Sequence, residues 1–502
     1  MCLSSPKVQA PAAVTPAAMS KTPDTPQMMA EKRKKQLGMS GKKDIEAYGI
    51  REFNQKCRES VFTYEKAWRE MTKRMGYLID MDNPYITLEN DYIESVWWLL
   101  KQFFDGGLIY EGHKILPYCP RCGTGLASHE VAQGYKEIKS NTITCRFRKK
   151  GEDNTYFLAW TTTPWTLASN VALTVGADID YVKAKQNDEY LYIAKDLAEK
   201  VLAPNGPYEV VETVKGRNLE YMEYEQLMPF IQVDKKAFFV TLGDYVSTED
   251  GTGIVHLAPS FGADDFRVAK QNGMGSLTLV NKQGRFVSEV TDFAGEFVKE
   301  AYLNDSEKEI EIKKQGGDKY LSVDERISIK MKKEGKAFKV EKYEHTYPHC
   351  WRTDKPVLYY PLDSWFIRTT SAKERMVELN KTINWKPEST GTGRFGNWLE
   401  NLVDWNLSRS RFWGIPLPIW RTTEGEEEIC IGSVKELYDE IQKSIKAGFM
   451  NSNPIHPDKF LEFDLHRPYV DDIFLVSASG KKMQRELDLI DVWFDSGAMP
   501  YA

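Results

Sequence analysis

Three hydroxyls in a row, Thr161-Thr162-Thr163, run into Pro164-Trp165-Thr166-Leu167-Ala168-Ser169-Asn170. They follow an apolar run, Tyr156-Phe157-Leu158-Ala159, that reads as a buried strand. A strand that delivers hydroxyls to a Pro-stiffened turn, with an amide just beyond, can hold a polar, planar ligand end by several short hydrogen bonds. Threonine is also an ordinary strand former, so a pleated surface is the second reading of the run. About 90 residues later, Gly251-Thr252-Gly253-Ile254-Val255-His256 leads into Leu257-Ala258-Pro259-Ser260-Phe261-Gly262-Ala263-Asp264-Asp265. A lone His after a strand is by itself most often structural, and Asp264-Asp265 can be an N-cap pair for the helix expected to run on through Gln271.

Other residues with chemical capacity are spread along the chain. Tyr118-Cys119-Pro120-Arg121-Cys122 is a CxxC knuckle, half of a structural zinc site by its spacing. Tyr347-Pro348-His349-Cys350-Trp351-Arg352 adds a third cysteine. Ser408-Arg409-Ser410-Arg411-Phe412-Trp413-Gly414 pairs two arginines, which face either phosphate or solvent. Asp491-Val492-Trp493-Phe494-Asp495-Ser496-Gly497 reads as a strand end, where Trp493 and Asp495 border a ligand or serve as packing and turn cap.

Taken in this order, these stretches resemble the isoleucyl branch of the class I aminoacyl-tRNA synthetases over residues 31 to 502. The valyl and leucyl branches carry Arg after the two threonines and an acidic residue after the proline; this chain has Thr163 and Trp165 there. The resemblance implies an editing site in which Thr161, Thr162, Thr163 and Asn170 surround the ester carbonyl, the ribose and the terminal adenosine of tRNA, with Trp165 beside them. It assigns Asp265 to the α-ammonium of a misattached amino acid, a charge-assisted bond. It makes His256 the wall that admits valine and rejects isoleucine. One methylene separates these amino acids by only about 1–3 kcal/mol, and this enzyme family is itself a standard example of double-sieve editing. No Ser–His–Asp or Cys–His spacing surrounds the motif, so a bound water polarised by backbone and threonine donors is the expected attacking group.

The same resemblance places Arg409 and Arg411 by the core site and the tRNA end, and Trp493 and Asp495 at the amino-acid and adenylate pocket. It implies zinc at Cys119, Cys122 and Cys350, but the fourth ligand position is Thr353. A substitute ligand, His349 or His345, or a reduced metal-free knuckle are the two alternatives. Neither the His-x-Gly-His tetrad nor the Lys-Met-Ser-Lys loop of the family occurs in the sequence. The expectation is therefore a central fragment. ATP-dependent aminoacylation belongs to a complete enzyme, tRNA(Ile) is the partner, and isoleucine and valine are the amino-acid moieties. The competing expectation is a catalytically inactive fragment that only binds tRNA or a partner.

Elements must position these residues. The chain has 502 residues, 41% hydrophobic and 28% charged, ordinary values for a globular protein of two to four domains. Net charge of −6 argues against an overall basic surface, although a local basic groove would suffice for nucleic acid. Seven scattered cysteines disfavour a disulfide framework, and no apolar run reaches membrane-spanning length. A cytoplasmic monomer is expected. Residues 1–30, rich in Pro, Ala, Ser and Thr, read as disordered, and the charged run Glu31–Lys35 as a solvated helix start. Residues 31–136 read as helical and as the first part of the catalytic domain. Two helices are expected there: one over 52–75 with Phe53, Val61, Tyr64, Trp68 and Met71 inward, and one over 90–104 with Ile93, Val96, Trp97 and Leu100 inward. Residues 137–345 read as a β-rich editing domain, with 307–336 as exposed helix and loop. Residues 346–502 return to the first domain. The fold class expected is α/β: an incomplete Rossmann-type nucleotide-binding domain interrupted by a β-rich insertion.

Overall fold

The computed structural model describes residues 38–39, 42–233 and 235–501, and the architecture is mixed α/β. The segment 1–30 and the run Glu31–Lys35 lie outside the described residues. The largest sheet has nine strands: β1 (Tyr135–Arg148), β2 (Thr155–Thr161), β3 (Ala172–Val175), β4 (Asp180–Gln186), β5 (Glu189–Ala194), β6 (Glu209–Lys215), β7 (Phe239–Leu242), β8 (Ile254–Leu257) and β9 (Ala337–Pro348). Its order is β6-β4-β5-β2-β8-β3-β7, with β1 along the other edge of β2 and β9 beyond β1. Phe157, Leu158 and Ala159 of β2 are all buried, so both faces of that strand are covered, and its sequence is continuous rather than alternating.

Five helices matter below: α1 (Asn90–Asp105), α2 (Ala263–Gln271), α3 (Val323–Lys333), α4 (Val434–Lys446) and α5 (Val492–Gly497). Ile93, Val96, Trp97 and Leu100 fall at i, i+3, i+4 and i+7 of α1 and are fully buried, as the spacing predicts. Their cluster also contains Trp420, Ile431, Leu437 and Ile490, so the segments before and after the large sheet share one core. A second core fills the large sheet, with Phe157, Leu173, Val240 and Leu257. Each fully buried side chain of this size contributes about 1.5–3 kcal/mol.

Three sequence expectations change. The helix Ile50–Val61 buries Phe53, but Tyr64, Trp68 and Met71 are exposed, because no described segment packs on that face of the helix Glu65–Arg74. In the stretch 307–336, α3 is not an exposed helix: Val323, Ile327 and Met331, at i, i+4 and i+8, are buried in the second core. The parallel sheet of a nucleotide-binding domain is not among the described strands. The parallel pairs β2–β5, β2–β8 and β3–β7 all lie in the large sheet. Elsewhere Ile109–Cys119 pairs antiparallel with Leu358–Ile367, Ser408–Arg409 with Leu489–Ile490, and Ile419–Thr422 with both Glu428–Cys430 and Lys482–Arg485.

β1 and β9 form a long antiparallel ribbon, from Tyr135↔Pro348 to Cys145↔Ala337. At its base the His349 N–H donates to the Gly134 carbonyl at 2.8 Å, and a Cβ at 134 would sit 1.8 Å from the His349 oxygen, so only glycine fits. This pinch leads the chain from the ribbon into the cysteine knuckle. No helix among the described residues is long and apolar enough to cross a membrane.

Candidate active site

The two motifs meet because β2 and β8 are parallel neighbours, with Val255 opposite Trp160. Both strands end at the same edge of the sheet, the usual place for a ligand in sheets with parallel strands. There they enclose a cavity of about 390 Å³, lined by Thr161, Thr162, Thr163 and Thr166 on one side and by His256, Ala258, Phe261, Tyr245 and Asp265 on the other. The lip is the turn Glu249–Gly253. Gly251, with φ +77°, lies against the Trp160 ring, where an added Cβ would come to 2.9 Å.

Thr161 Oγ1 accepts from the Thr163 N–H at 3.1 Å, so the first threonine holds the turn. Thr162 makes no side-chain hydrogen bond to the described protein and faces the cavity. Thr163 Oγ1 lies 3.2 Å from the hydroxyls of both Thr161 and Thr166. Thr166 donates its single proton to the Thr163 carbonyl at 2.7 Å, so the contact at 2.8 Å with His256 Nε2 requires the imidazole to donate. Nδ1 is then the acceptor, facing the Asn170 amide at 3.4 Å. Burial pushes the His256 pKa down to about 4. His256 is therefore a neutral ring with both nitrogens engaged.

Asp265 sits in the first turn of α2 but does not cap it; the N-cap is Gly262. Its carboxylate accepts from the Ala258 N–H at 2.9 Å and from the Tyr245 hydroxyl at 3.2 Å, and no cation among the described residues pairs with it. Burial raises its pKa to about 6. Asp264, one residue away on the helix, is exposed and pairs with Arg267 at 3.2 Å. Of these two neighbours, Asp265 lines the cavity and Asp264 does not.

Two expected residues stand behind the wall. Asn170 does not line the cavity; it is buried, donating to the Ala172 carbonyl at 2.8 Å and accepting from Tyr224 at 2.6 Å. Trp165 is buried with its ring 4.9 Å from Phe261. Thr166, Tyr245 and Tyr224 were missed by sequence reasoning. Thr166 had a signal, three residues after Thr163 at a turn, whereas the tyrosines lie outside any motif.

The family model "tRNA synthetases class I (I, L, M and V)" matches residues 28–502. The chain belongs to this family. Relatives include the isoleucine–tRNA ligases of Cytophaga hutchinsonii, 58% identical over 93% of this chain and 45% of its own length, and of Bacteroides fragilis, 50% identical over 93% and 46%. That of Clostridium novyi is 49% identical over 93% and 41%. The chain thus spans less than half the length of the curated relatives it matches. Among solved structures, that of GlLeuRS-CP1 is similar at 16% identity and a TM-score of 0.25 over 36% of this chain and 96% of that one, too loose to bear on the site.

The other residues that the class I synthetase resemblance singled out lie away from this cavity. Arg409 was expected near tRNA phosphate, but its side chain is fully buried. It bonds Glu130 and Asp491 at 2.6 Å each and also the Asn406 and Ser408 carbonyls, so its charge is balanced inside the core. A strand position inside the core put it there. Arg352 adds a second buried partner to Glu130 at 2.9 Å, and the Trp351 and Trp405 indoles donate to Glu130 and Asp491. Arg411 is part-buried, its carbonyl accepting from Arg467 at 3.0 Å. Asp491 caps α5 by accepting from the Trp493 N–H at 3.2 Å. Trp493 lies between His129 and Trp351, and Asp495 is buried, its carboxyl pushed well above the usual carboxylate range by burial and by the neighbouring Asp491 charge.

Cys119, Cys122 and Cys350 bring their sulfurs within 4.8 Å of one another, with Cys122 and Cys350 3.7 Å apart. Two thiolates on one tetrahedral zinc would be roughly 3.8 Å apart, given Zn–S bonds near 2.3 Å. Hydrogen bonds from the Cys119 and Cys122 thiols pull the Cys350 thiol well below its ordinary range, while burial pushes the Cys119 thiol up. Neither His349 nor His345 joins the group. His345 is bonded to Ser140 across the ribbon, His349 to the Tyr347 carbonyl, and Thr353 points its hydroxyl at Cys119 from 3.4 Å.

Proposed function

We propose that the cavity at the ends of β2 and β8 is a post-transfer editing site that hydrolyses valine from tRNA(Ile). The observation that carries this reading is Asp265: a carboxylate pushed up to about 6 by burial, lining a cavity and without a cationic partner among the described residues. Such a group is incomplete until a cation arrives, and the free α-ammonium of an aminoacyl ester is one. Opposite it, Thr162 and Thr163 present hydroxyls where the ester and ribose of that substrate would lie. Water attacks the ester carbonyl carbon, the bond to the ribose oxygen breaks, and free valine and uncharged tRNA leave. The threonine hydroxyls and nearby backbone donors stabilise the developing oxyanion. His256, neutral and clamped by Thr166 and Asn170, fixes the depth of the side-chain pocket. Asn170 acts through His256 rather than on the substrate.

In this reading residues 137–345 are the editing domain. Residues 31–136 and 346–502 are parts of a Rossmann-type catalytic domain that uses ATP only within a complete ligase in the cytoplasm. The three thiols suit zinc as a structural ion, which would tie the base of the ribbon to the strand Ile109–Cys119. The exposed apolar face around Trp68 favours a second reading, an inactive fragment that only binds tRNA or a partner. The test mixes the chain, at high concentration, with valyl-tRNA(Ile) and follows free valine. Release well above the buffer rate supports editing; none, from folded protein, supports the inactive fragment.

A further inference from the structure

The helix that carries the threonine hydroxyls is not capped by its own residues. Pro164–Ser169 is a single short 3-10 helix, and Thr163 occupies its N-cap position. A threonine there normally turns its hydroxyl back to accept from the second or third helical N–H. Thr163 makes no such bond; its hydroxyl faces the cavity beside those of Thr161 and Thr166. The third N–H, from Thr166, goes to the Thr163 carbonyl at 3.0 Å. The second, from Trp165, goes to Asp324 Oδ1 at 2.9 Å, 159 residues along the chain. The other Asp324 oxygen lies 3.6 Å from Lys299 Nζ, and both side chains are largely buried. A buried ion pair is a weak source of stability, so the bond from Asp324 to the Trp165 N–H is the contact that gives the pair its use here.

We propose that Asp324 is a positioning residue: it caps the threonine-bearing helix from α3, in place of Thr163, and so releases the Thr163 hydroxyl for the cavity. This rests on the reading of the cavity as an ester-hydrolysing site. An ionised carboxylate suits the position, since it accepts the orphan N–H as a charge-assisted bond. Lys299 keeps the charge from being buried alone. The indole of Trp165, packed on Phe261, holds the turn from its other side.

The experiment compares the full chain with Asp324→Ala, Asp324→Asn, Thr163→Ala and the Asp324→Ala/Thr163→Ala pair. It reads amide exchange at Trp165, melting temperature and the kcat and KM of valyl-tRNA(Ile) hydrolysis. Asp324→Ala should speed Trp165 exchange about tenfold or more, as loss of a charge-assisted bond implies. It should lower kcat about 10- to 100-fold through misplaced hydroxyls, with little change in KM. Asp324→Asn keeps an acceptor oxygen in place and should recover most of both. Thr163→Ala should lose activity yet leave Trp165 exchange and melting temperature unchanged, and it should become destabilising only in the Asp324→Ala background, where its hydroxyl is free to take over the cap. Unchanged Trp165 exchange in Asp324→Ala, or a melting-temperature loss in Thr163→Ala equal to that in Asp324→Ala, would overturn the proposal. If the unmodified chain releases no valine, the reading of the cavity fails, while the exchange measurements still decide the cap.

Discussion

Two groups of charged residues can be compared within this chain, and they are built in opposite ways. At the cavity, Asp265 accepts two neutral hydrogen bonds and meets no cation among the described residues. At the knuckle end, Glu130, Arg352, Arg409 and Asp491 have fully buried side chains that balance one another at 2.6–2.9 Å. Both groups came from the same sequence and both contain the residue types of an active site. What separates them is compensation. In the network each carboxylate already has its cations, whereas the Asp265 carboxylate stands uncompensated beside open space.

The comparison is broken most forcefully at Arg409. Arg409→Met leaves Glu130 and Asp491 as buried charges with fewer partners, and should cost about 3–5 kcal/mol, read as a loss of melting temperature. Valine release per folded molecule should persist. A stable Arg409→Met chain would show that the network is not the structural half of the pair.

Asp265→Ala should do the reverse. Losing the partner of an ammonium should cost about 1.5–3 kcal/mol of substrate binding, a 10- to 150-fold fall in kcat/KM for valyl-tRNA(Ile). Its effect on folding has the opposite sign. The folded pKa, about 6, lies above the ordinary value of 3.8, so protonation favours the fold, and that contribution is lost as pH rises through 6. Asp265→Asn should therefore melt higher than the parent at pH 7.5. For the same reason the parent's kcat/KM should fall as pH drops through about 6, where the carboxylate that meets the ammonium is protonated. A flat profile from pH 5 to 8 would contradict the role given to Asp265.

His256→Ala should keep valine release and begin to hydrolyse isoleucyl-tRNA(Ile), because the discrimination at stake is one methylene, about 1–3 kcal/mol. If the variant loses both activities with its stability, His256 is core packing only. The smallest effect on activity is expected at the thiols. Metal analysis of the purified chain should find about one equivalent of zinc, lost on Cys119→Ser; a negligible content would mean an empty knuckle.

Much of the cavity was legible in the sequence because each half is a contiguous strand-and-turn motif, and parallel pairing alone brings the ends of β2 and β8 together. The core of α1 was legible from its spacing. The choice of Asp265 over Asp264 came from the resemblance and not from residue type, since neighbours on a helix differ by a rotation that only packing fixes. Arg409 misled because a guanidinium in solvent and one in a core are spelled alike. Asn170 was drawn to the ligand by its motif, but its amide is consumed by Ala172 and Tyr224. Tyr245 and Asp324 reach the site from separate elements with no local signature, and Asp324 sits in a charged stretch that reads as exposed. Tyr64, Trp68 and Met71 have the pattern of a buried face and are exposed. The pattern shows what a helix can bury, and burial needs a partner.

The central claim is that Asp265 binds an ammonium, and one measurement addresses it alone. Valyl-tRNA(Ile) and N-acetylvalyl-tRNA(Ile) carry the same ester, but acetylation removes the charge. The parent chain and Asp265→Asn are to be compared on both esters at pH 7.5. The account predicts that the parent far outpaces Asp265→Asn on the valyl ester, by about 10-fold or more, and that the two hydrolyse the acetylated ester at similar, low rates. If the parent keeps its full advantage on the acetylated ester, Asp265 acts on the water or the carbonyl, and the ammonium account is wrong.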